Sequence, residues 1–463
     1  MCSVKDCMFD GNDGEIPKTK EKDLSTDTLC RKCKCENADV LLTGQSGYCQ
    51  ACFLSVTNHK FRAALGKSKI IRHGDAILVD HSGELNSTVL LHLIKAGMSE
   101  SAHKRLIFKT VVLYIDDTAG KTSEERDTLR RKIAEETTAS GFNGYAVSMS
   151  QALNEGDTLD VKPMDQEINR ENDSRLRAIL ANLSDDTSRT DFLGQLRRCL
   201  LLSAARKLNC NKIFVAESAV DIAAKVLGDV CLGRGAQLST QASFCDARCA
   251  DVKILKPMRD FAQQELIYYA EYHKINSVKP MHASGTPPSA TSIQALSRDF
   301  TTQLESQFSG TVSTVFRTAD KISPRVDGPR RGMEDNCALC DARLDLPSSG
   351  GEVTAMRAIE VSKLVSSKCV DASSPGNEEN GDSNCLPPPD NSGCCNDNTE
   401  CSCENNRKGQ VTAEDVWRHL CYSCRRIFQN SEILRNSPSP LLFAVQQRVA
   451  LKSMREKISD FLL

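Results

Sequence analysis

The 463-residue chain has almost no excess of charge: 59 lysines and arginines stand against 61 aspartates and glutamates, for a net charge of −2. With no attractive field from the chain as a whole, contact with nucleic acid has to come from local basic patches. No apolar run approaches the roughly 20 residues that a bilayer-spanning helix needs. The opening MCSVKDCMFDGNDGE also lacks the charged-then-apolar order of a secretory signal. These absences predict a soluble, intracellular protein with no membrane partner. No repeat of solenoid length is visible.

Cysteine is abundant, at 22 residues, and in a reducing compartment that argues for metal ligands rather than disulfides. Cys30-x2-Cys33 and Cys49-x2-Cys52 are separated by fifteen residues, the two-knuckle spacing of a closed, structural four-thiolate zinc site. Cys35 adds an ambiguity, because CRKCKC could offer a different pair. A second set, Cys337-x2-Cys340 and Cys421-x2-Cys424, brackets a long insertion. Closing a loop costs only about 0.6 kcal/mol per doubling of its length, so that excursion is tolerable. The expectation is two structural zinc sites. Cys385, Cys394, Cys395, Cys401 and Cys403 lie in polar low-complexity chain and read as exposed thiols.

The chain divides by composition into a mobile leader (1–27), an N-terminal ribbon (28–55), a main domain (56–285), a linker with a helical segment (286–335), a C-terminal ribbon (336–425) and terminal helices (426–463). The second ribbon is interrupted at 345–410 by Ser, Asn, Asp, Pro and Gly, read as largely disordered, with a possible short helix at VTAMRAIEVSKLV. In the main domain a helix is expected from near Leu54. The β-rich runs DAILVD, LIFKTVVLYID and NKIFVAES alternate with helical patterns, which is the mark of a parallel sheet covered on both faces. Phe192, Leu193, Leu196, Leu200 and Ala204 fall at helical spacing, and Ser218 opens another helix ending near Gly233. Residues 150–188 read as a long acidic loop with one helical turn.

Strand, glycine turn and amphipathic helix follow one another in AILVDHSGELNSTVLLHLIKAG. A helix N-terminus presents free N–H groups, and glycine lets the backbone approach an anion closely. Ser82, Gly83 and Ser87 suit phosphate. Glu84 does not: a carboxylate about 4 Å from a phosphate charge costs about 4 kcal/mol at an effective dielectric near 20. ATP binding is therefore doubtful. The side of the following helix that carries Val89, Leu90, Leu93 and Ile94 reads as core.

At these residues the chain resembles the PP-loop ATP pyrophosphatases, whose loop reads S-G-G-x-D-S, and, with a ribbon at either end, their tRNA thiolase branch. YCQACFLSVTNHKFRAALGKSK followed by a damaged loop resembles, more narrowly, the second, non-catalytic subunit of the cytosolic wobble-uridine thiolase, the cytoplasmic tRNA 2-thiolation protein 2 family. The resemblance implies an α/β fold, a doubly wound parallel sheet of PP-loop ATP pyrophosphatase type flanked by two zinc ribbons. It implies as partners a catalytic thiolase subunit, tRNAs for Lys, Glu and Gln, and a thiocarboxylated ubiquitin-related modifier as sulfur donor. It also marks losses. The loop's second glycine and its aspartate fall on Glu84 and Asn86, the catalytic cysteines on Thr190 and Leu193, and the G-H-N-x-D-D turn on AESAVD, which keeps only Asp221. A further family cysteine is missing, since none occurs between Cys249 and Cys337. The implied protein is not an enzyme by itself, but a subunit that positions tRNA and stabilises its partner.

Cations remain where activity residues do not. His59, Lys60, Arg62, Lys67, Lys69 and Arg72 follow the first ribbon, and Arg197 and Arg198 lie on a later helix. Each alone reads as a solvated face; clustered beside a ribbon they suggest a phosphate-backbone track. Two rival readings are an active ATP-dependent thiolase, for which Cys199, Cys245 and Cys249 are candidate nucleophiles, and a zinc-ribbon adaptor unrelated to tRNA.

Overall fold

The computed structural model describes residues 29–42, 47–100, 105–117, 121–154, 159–279, 292–308, 310–322, 336–344, 412–428 and 439–459. The leader 1–27, the insertion 345–410 and its expected short helix lie outside them. The chain forms two compact units, Met1–Phe53 and Leu54–Leu463.

In the first unit, antiparallel bridges join Leu29 to Asn37 and Val40 to Tyr48. The chain then enters helix α1, Gln50–Ser68, four residues earlier than the sequence pattern suggests. The second unit is built on a seven-stranded sheet. Its strands are β1 (Ala76–Asp80), β2 (Lys109–Asp116), β3 (Asn143–Ser148), β4 (Lys162–Pro163), β5 (Lys212–Phe214), β6 (Cys245–Asp246) and β7 (Lys253–Leu255). Their order is β4-β3-β2-β1-β5-β7-β6. The five central strands run parallel, with Val79 of β1 facing Val112 on one side and Phe214 on the other. Their near-continuous apolar character fits strands buried on both faces. The two-residue edge strands β4 and β6 run antiparallel, which the strand and helix alternation did not anticipate.

Between the strands lie α2 (Leu85–Met98), α3 (Ser123–Ala139), α4 (Asp173–Asn182), α5 (Asp186–Lys207), α6 (Ala219–Cys231) and α7 (Leu238–Ala242). Among the described residues the helices α8 (Gln263–His273), α9 (Ile293–Gln307), α10 (Thr311–Lys321), α11 (Ala413–Arg418), α12 (Tyr422–Ile427) and α13 (Ser439–Ser459) follow. Val89, Leu90, Leu93 and Ile94 of α2 are buried in the core. No described helix is long and apolar enough to cross a membrane.

The region read as a long acidic loop is more ordered than that: α4 has ten residues and a 3-10 turn covers Met149–Leu153. The reason is a buried charge network. Arg126 of α3 grips Asp116 at the end of β2 and reaches Asp173 of α4 at 2.5 Å, while Arg170 binds Asp116 and Asp127. Polar residues that looked like loop in sequence, Arg170 and Asp173, have their partners on β2 and α3.

Candidate functional site

The eight paired cysteines gather into two sets of four, Cys30, Cys33, Cys49 and Cys52, and Cys337, Cys340, Cys421 and Cys424; within each set all sulfurs lie within 4.8 Å of one another. Zinc held about 2.3 Å from four thiolates requires sulfur–sulfur edges of about 3.8 Å. The Cys33–Cys49 and Cys340–Cys421 pairs stand at 3.9 Å and 3.8 Å, so one edge of each set already has the length the ion needs. These are two structural zinc sites, closed by protein ligands.

The two sites are built alike. After the first knuckle, Lys34 and Asp341 adopt left-handed backbone, with φ of 58° and 57°. In that turn Lys34 N donates to Cys30 O at 2.8 Å and Asp341 N to Cys337 O at 3.0 Å. The second knuckle rides the first turn of a helix, α1 for Cys49 and Cys52, and α12 for Cys421 and Cys424. Burial opposes ionisation of Cys30, but the backbone N–H groups of Cys33, Cys49 and Lys32 bring its thiol down to about 6. Cys35 is exposed, and its thiol donates to Cys33 O instead of joining the set.

The second site belongs to the core of its unit. Its four cysteines are buried among Phe192, Leu196 and Leu200 of α5. Phe192 meets Phe428 edge-on at 5.8 Å. Gly233, at φ 79°, lies against Tyr422, where a Cβ would sit 2.8 Å from the ring. Nothing in the cysteine spacing announces this attachment.

The loop after β1 is closed by its own groups. Gly83 takes φ 81°, and a Cβ there would strike Ile133 at 2.9 Å. Ser82 Oγ donates to Ser87 Oγ at 3.2 Å, Ser87 Oγ to Glu84 O at 2.8 Å, and Glu84 N to Ser82 Oγ at 3.3 Å. Glu84 caps α2 in extended backbone without a side-chain capping bond. Asn86 donates to Asp221 Oδ2 at 3.2 Å and exchanges amide bonds with Gln263. Asp221 is also the partner of Ser218 in the capping box of α6, and Arg298 of α9 binds its other oxygen at 2.6 Å. Arg298 lies in a stretch whose sequence reads as a linker with a helical segment, so no local signal marked it as part of the loop's surroundings.

Thr190 and Leu193 sit in the first turns of α5, exposed and half-buried. The thiols of Cys199, Cys245 and Cys249 are each raised, first of all by burial, which keeps them protonated and poor nucleophiles. Of the cations read as a phosphate track, Lys60 pairs with Glu265 at 2.6 Å, Arg197 with Asp80 at 2.5 Å, and Arg198 with Asp246 at 3.7 Å. Arg62 is half-buried and donates to Asn58 O. His59, Lys67 and Arg72 are exposed.

A family model described as "Cytoplasmic tRNA 2-thiolation protein 2" matches residues 292–426. The Anopheles gambiae protein of that name is 30% identical over 450 residues, spanning 93% of this chain and 99% of the relative. The chain belongs to the cytoplasmic tRNA 2-thiolation protein 2 family. A Xenopus tropicalis member is 28% identical over 94% of both chains. A Drosophila mojavensis member is 32% identical over 79% of this chain and 89% of its own. Among solved structures, "U34-tRNA thiolase NcsA from Methanococcus maripaludis with its [4Fe-4S] cluster" aligns with 65% of this chain and 92% of its own, at 18% identity and a TM-score of 0.49.

Proposed function

We infer that this chain is the non-catalytic subunit of a complex that 2-thiolates cytosolic tRNA. The observation that carries the reading is the loop after β1: in a chain that matches its family over nearly its whole length, the groups that would meet a phosphate bond one another. The chain is not a thiolase by itself, and it acts in the cytoplasm, as the names of its relatives state.

The finer reading is that the α/β unit is a doubly wound PP-loop ATP pyrophosphatase-type domain that has lost its nucleotide. A catalytic PP-loop subunit is its partner. That partner adenylates the carbonyl oxygen of the wobble uridine in Lys, Glu and Gln tRNAs and lets sulfur displace it, with a thiocarboxylated ubiquitin-related modifier as donor. This chain holds tRNA and stabilises the partner. The domain limits are 28–55 and 336–425 for the ribbons and 56–285 for the α/β domain, with 286–335 between and 426–463 after. The exposed His59, Lys67 and Arg72 are proposed tRNA contacts, whereas the paired Lys60, Arg197 and Arg198 act in the fold. The test is 2-thiouridine in tRNA from cells lacking this chain, restored with the chain, the partner or both. Thiolation should need both. Full thiolation by this chain alone, or by the partner alone, would sink the reading.

A further inference from the structure

The cations of the α/β unit are not distributed evenly in their pairing. Around the loop after β1 most have carboxylate partners: Arg197 has Asp80, Arg298 has Asp221, Lys60 has Glu265 and Lys225 has Glu217, while Lys279 stands over the Tyr114 ring, 5.5 Å from its centre, where burial lowers its ammonium. Little field is left there for an outside anion. The opposite edge of the sheet, where the parallel strands begin, differs.

Three of the adjacent strands open on lysine: Lys109 begins β2, Lys212 begins β5 and Lys253 begins β7. The register brings them to one level, since Ala76 pairs with Lys109, Ile77 with Lys212, and Lys212 with Lys253. At about 4.8 Å per strand, Lys109 and Lys253 stand about 14 Å apart. The segment from α1 into β1 arrives at the same edge with Lys69 and Arg72, and Gly74 N donates to Ile107 O just before β2. A shallow cleft of about 480 Å³ opens among these strand starts, lined by Asp75, Arg206, Cys210, Asn211 and Asp251. Its two acids are both neutralised, Asp75 by Lys212 at 2.8 Å and Asp251 by Arg206 at 2.7 Å. Lys69, Arg72, Lys109 and Lys253 are exposed and make no ion pair among the described residues.

We propose that this strand-start edge, with Lys109 and Lys253 as its free cations, is the surface that holds the phosphate backbone of RNA. It lies on the far side of the sheet from the altered loop. Unpaired cations spaced along one edge suit a polyanion, because each phosphate they neutralise releases a condensed counterion. The lysines read no base edges, so the contact is with backbone and independent of sequence. The inference rests on the reading above that this chain holds tRNA.

The experiment uses the full chain assembled with its catalytic partner and unmodified tRNA as probe, with affinity followed by fluorescence anisotropy across a salt series. Lys109→Glu/Lys253→Glu is compared with Lys121→Glu/Lys132→Glu, an equal charge change at exposed sites away from this edge. Lys109→Gln/Lys253→Gln serves as the milder variant, and melting curves establish that each is folded. The edge variants should bind at least tenfold more weakly. Their salt slope should be smaller by about 1.5, close to one counterion per lost contact. Equal weakening in both charge-reversed pairs would mean a general field effect and overturn the proposal. Unchanged tRNA affinity with loss of the protein partner would make the edge a protein-docking face, which also overturns it. If the wild-type chain adds no tRNA affinity to its partner, the tRNA-holding reading falls and the surface with it.

Discussion

Asn86 donates its side-chain amide to the Asp221 carboxylate at 3.2 Å, joining the loop after β1 to the first turn of α6 across 135 residues of chain. Here the amide makes the contact possible, because it offers a donor to a carboxylate that Ser218 and Arg298 already hold. Asn86→Asp would place two carboxylates at that distance, a repulsion of up to about 5 kcal/mol at an effective dielectric near 20. Arg298 and solvent offset part of it, so the expected loss is about 1–3 kcal/mol in urea unfolding at pH 7. The loss should shrink as the pH is lowered, because the repulsion itself favours uptake of a proton by the pair. Unchanged stability at pH 7 would mean that Arg298 neutralises both groups.

The two zinc sites should respond differently to loss of a ligand. Elemental analysis should find two zinc ions per chain, and Cys49→Ser or Cys340→Ser should each lose one. The second site is buried with the α5 core, so Cys340→Ser should lower the main melting transition by several degrees. The first site lies in the smaller unit, and Cys49→Ser should leave that transition in place while its ribbon unfolds. A shared response of both variants would show one cooperative unit.

Lys60 is paired within the fold. Its ammonium lies 2.6 Å from Glu265, whose side chain is 10% exposed, and 4.6 Å from the Phe261 ring centre. Lys60→Ala strands that carboxylate and should lower stability by about 2 kcal/mol. The tRNA affinity of the folded fraction should hardly change. A large affinity loss without a stability loss would return Lys60 to the RNA surface.

His92 makes stability depend on pH. Burial, then the nearby His273 and Lys95, hold its imidazole down to about 4 from 6.5, and its Nδ1 meets Tyr269 Oη at 3.0 Å. Between those values the unfolded chain binds a proton that the folded chain does not, so stability falls as pH drops from 6.5 to about 4. His273, also lowered by burial, acts in the same direction. The slope due to His92 stays below the roughly 1.4 kcal/mol per pH unit of one fully coupled group, because solvent screens a half-buried ring. His92→Gln should flatten the stability curve over this window in chemical denaturation. An unaltered slope would remove His92 as its source.

Much of the architecture was legible in the sequence. The CxxC spacings alone selected the eight sulfurs, since a closed four-thiolate site needs two tight turns and little else nearby. The apolar runs AILVD and KTVVLYID marked central strands because strands buried on both faces have no polar side to hide. Glu84 put a carboxylate in the turn after β1 and Asn86 an amide at the start of α2, which the sequence shows directly because charge and side-chain chemistry are local properties.

What the sequence could not decide was pairing at a distance. Lys60, Arg197 and Arg198 looked like a basic track, and only the fold set Glu265, Asp80 and Asp246 beside them. Arg298 and Asp221 are separated by 77 residues, yet they meet at the loop. Lys109, Lys212 and Lys253 are scattered along the chain, and parallel register aligns them on one edge. A charge acts through the space around it, and over such separations that space is set by strand order and helix packing rather than by neighbours in the chain.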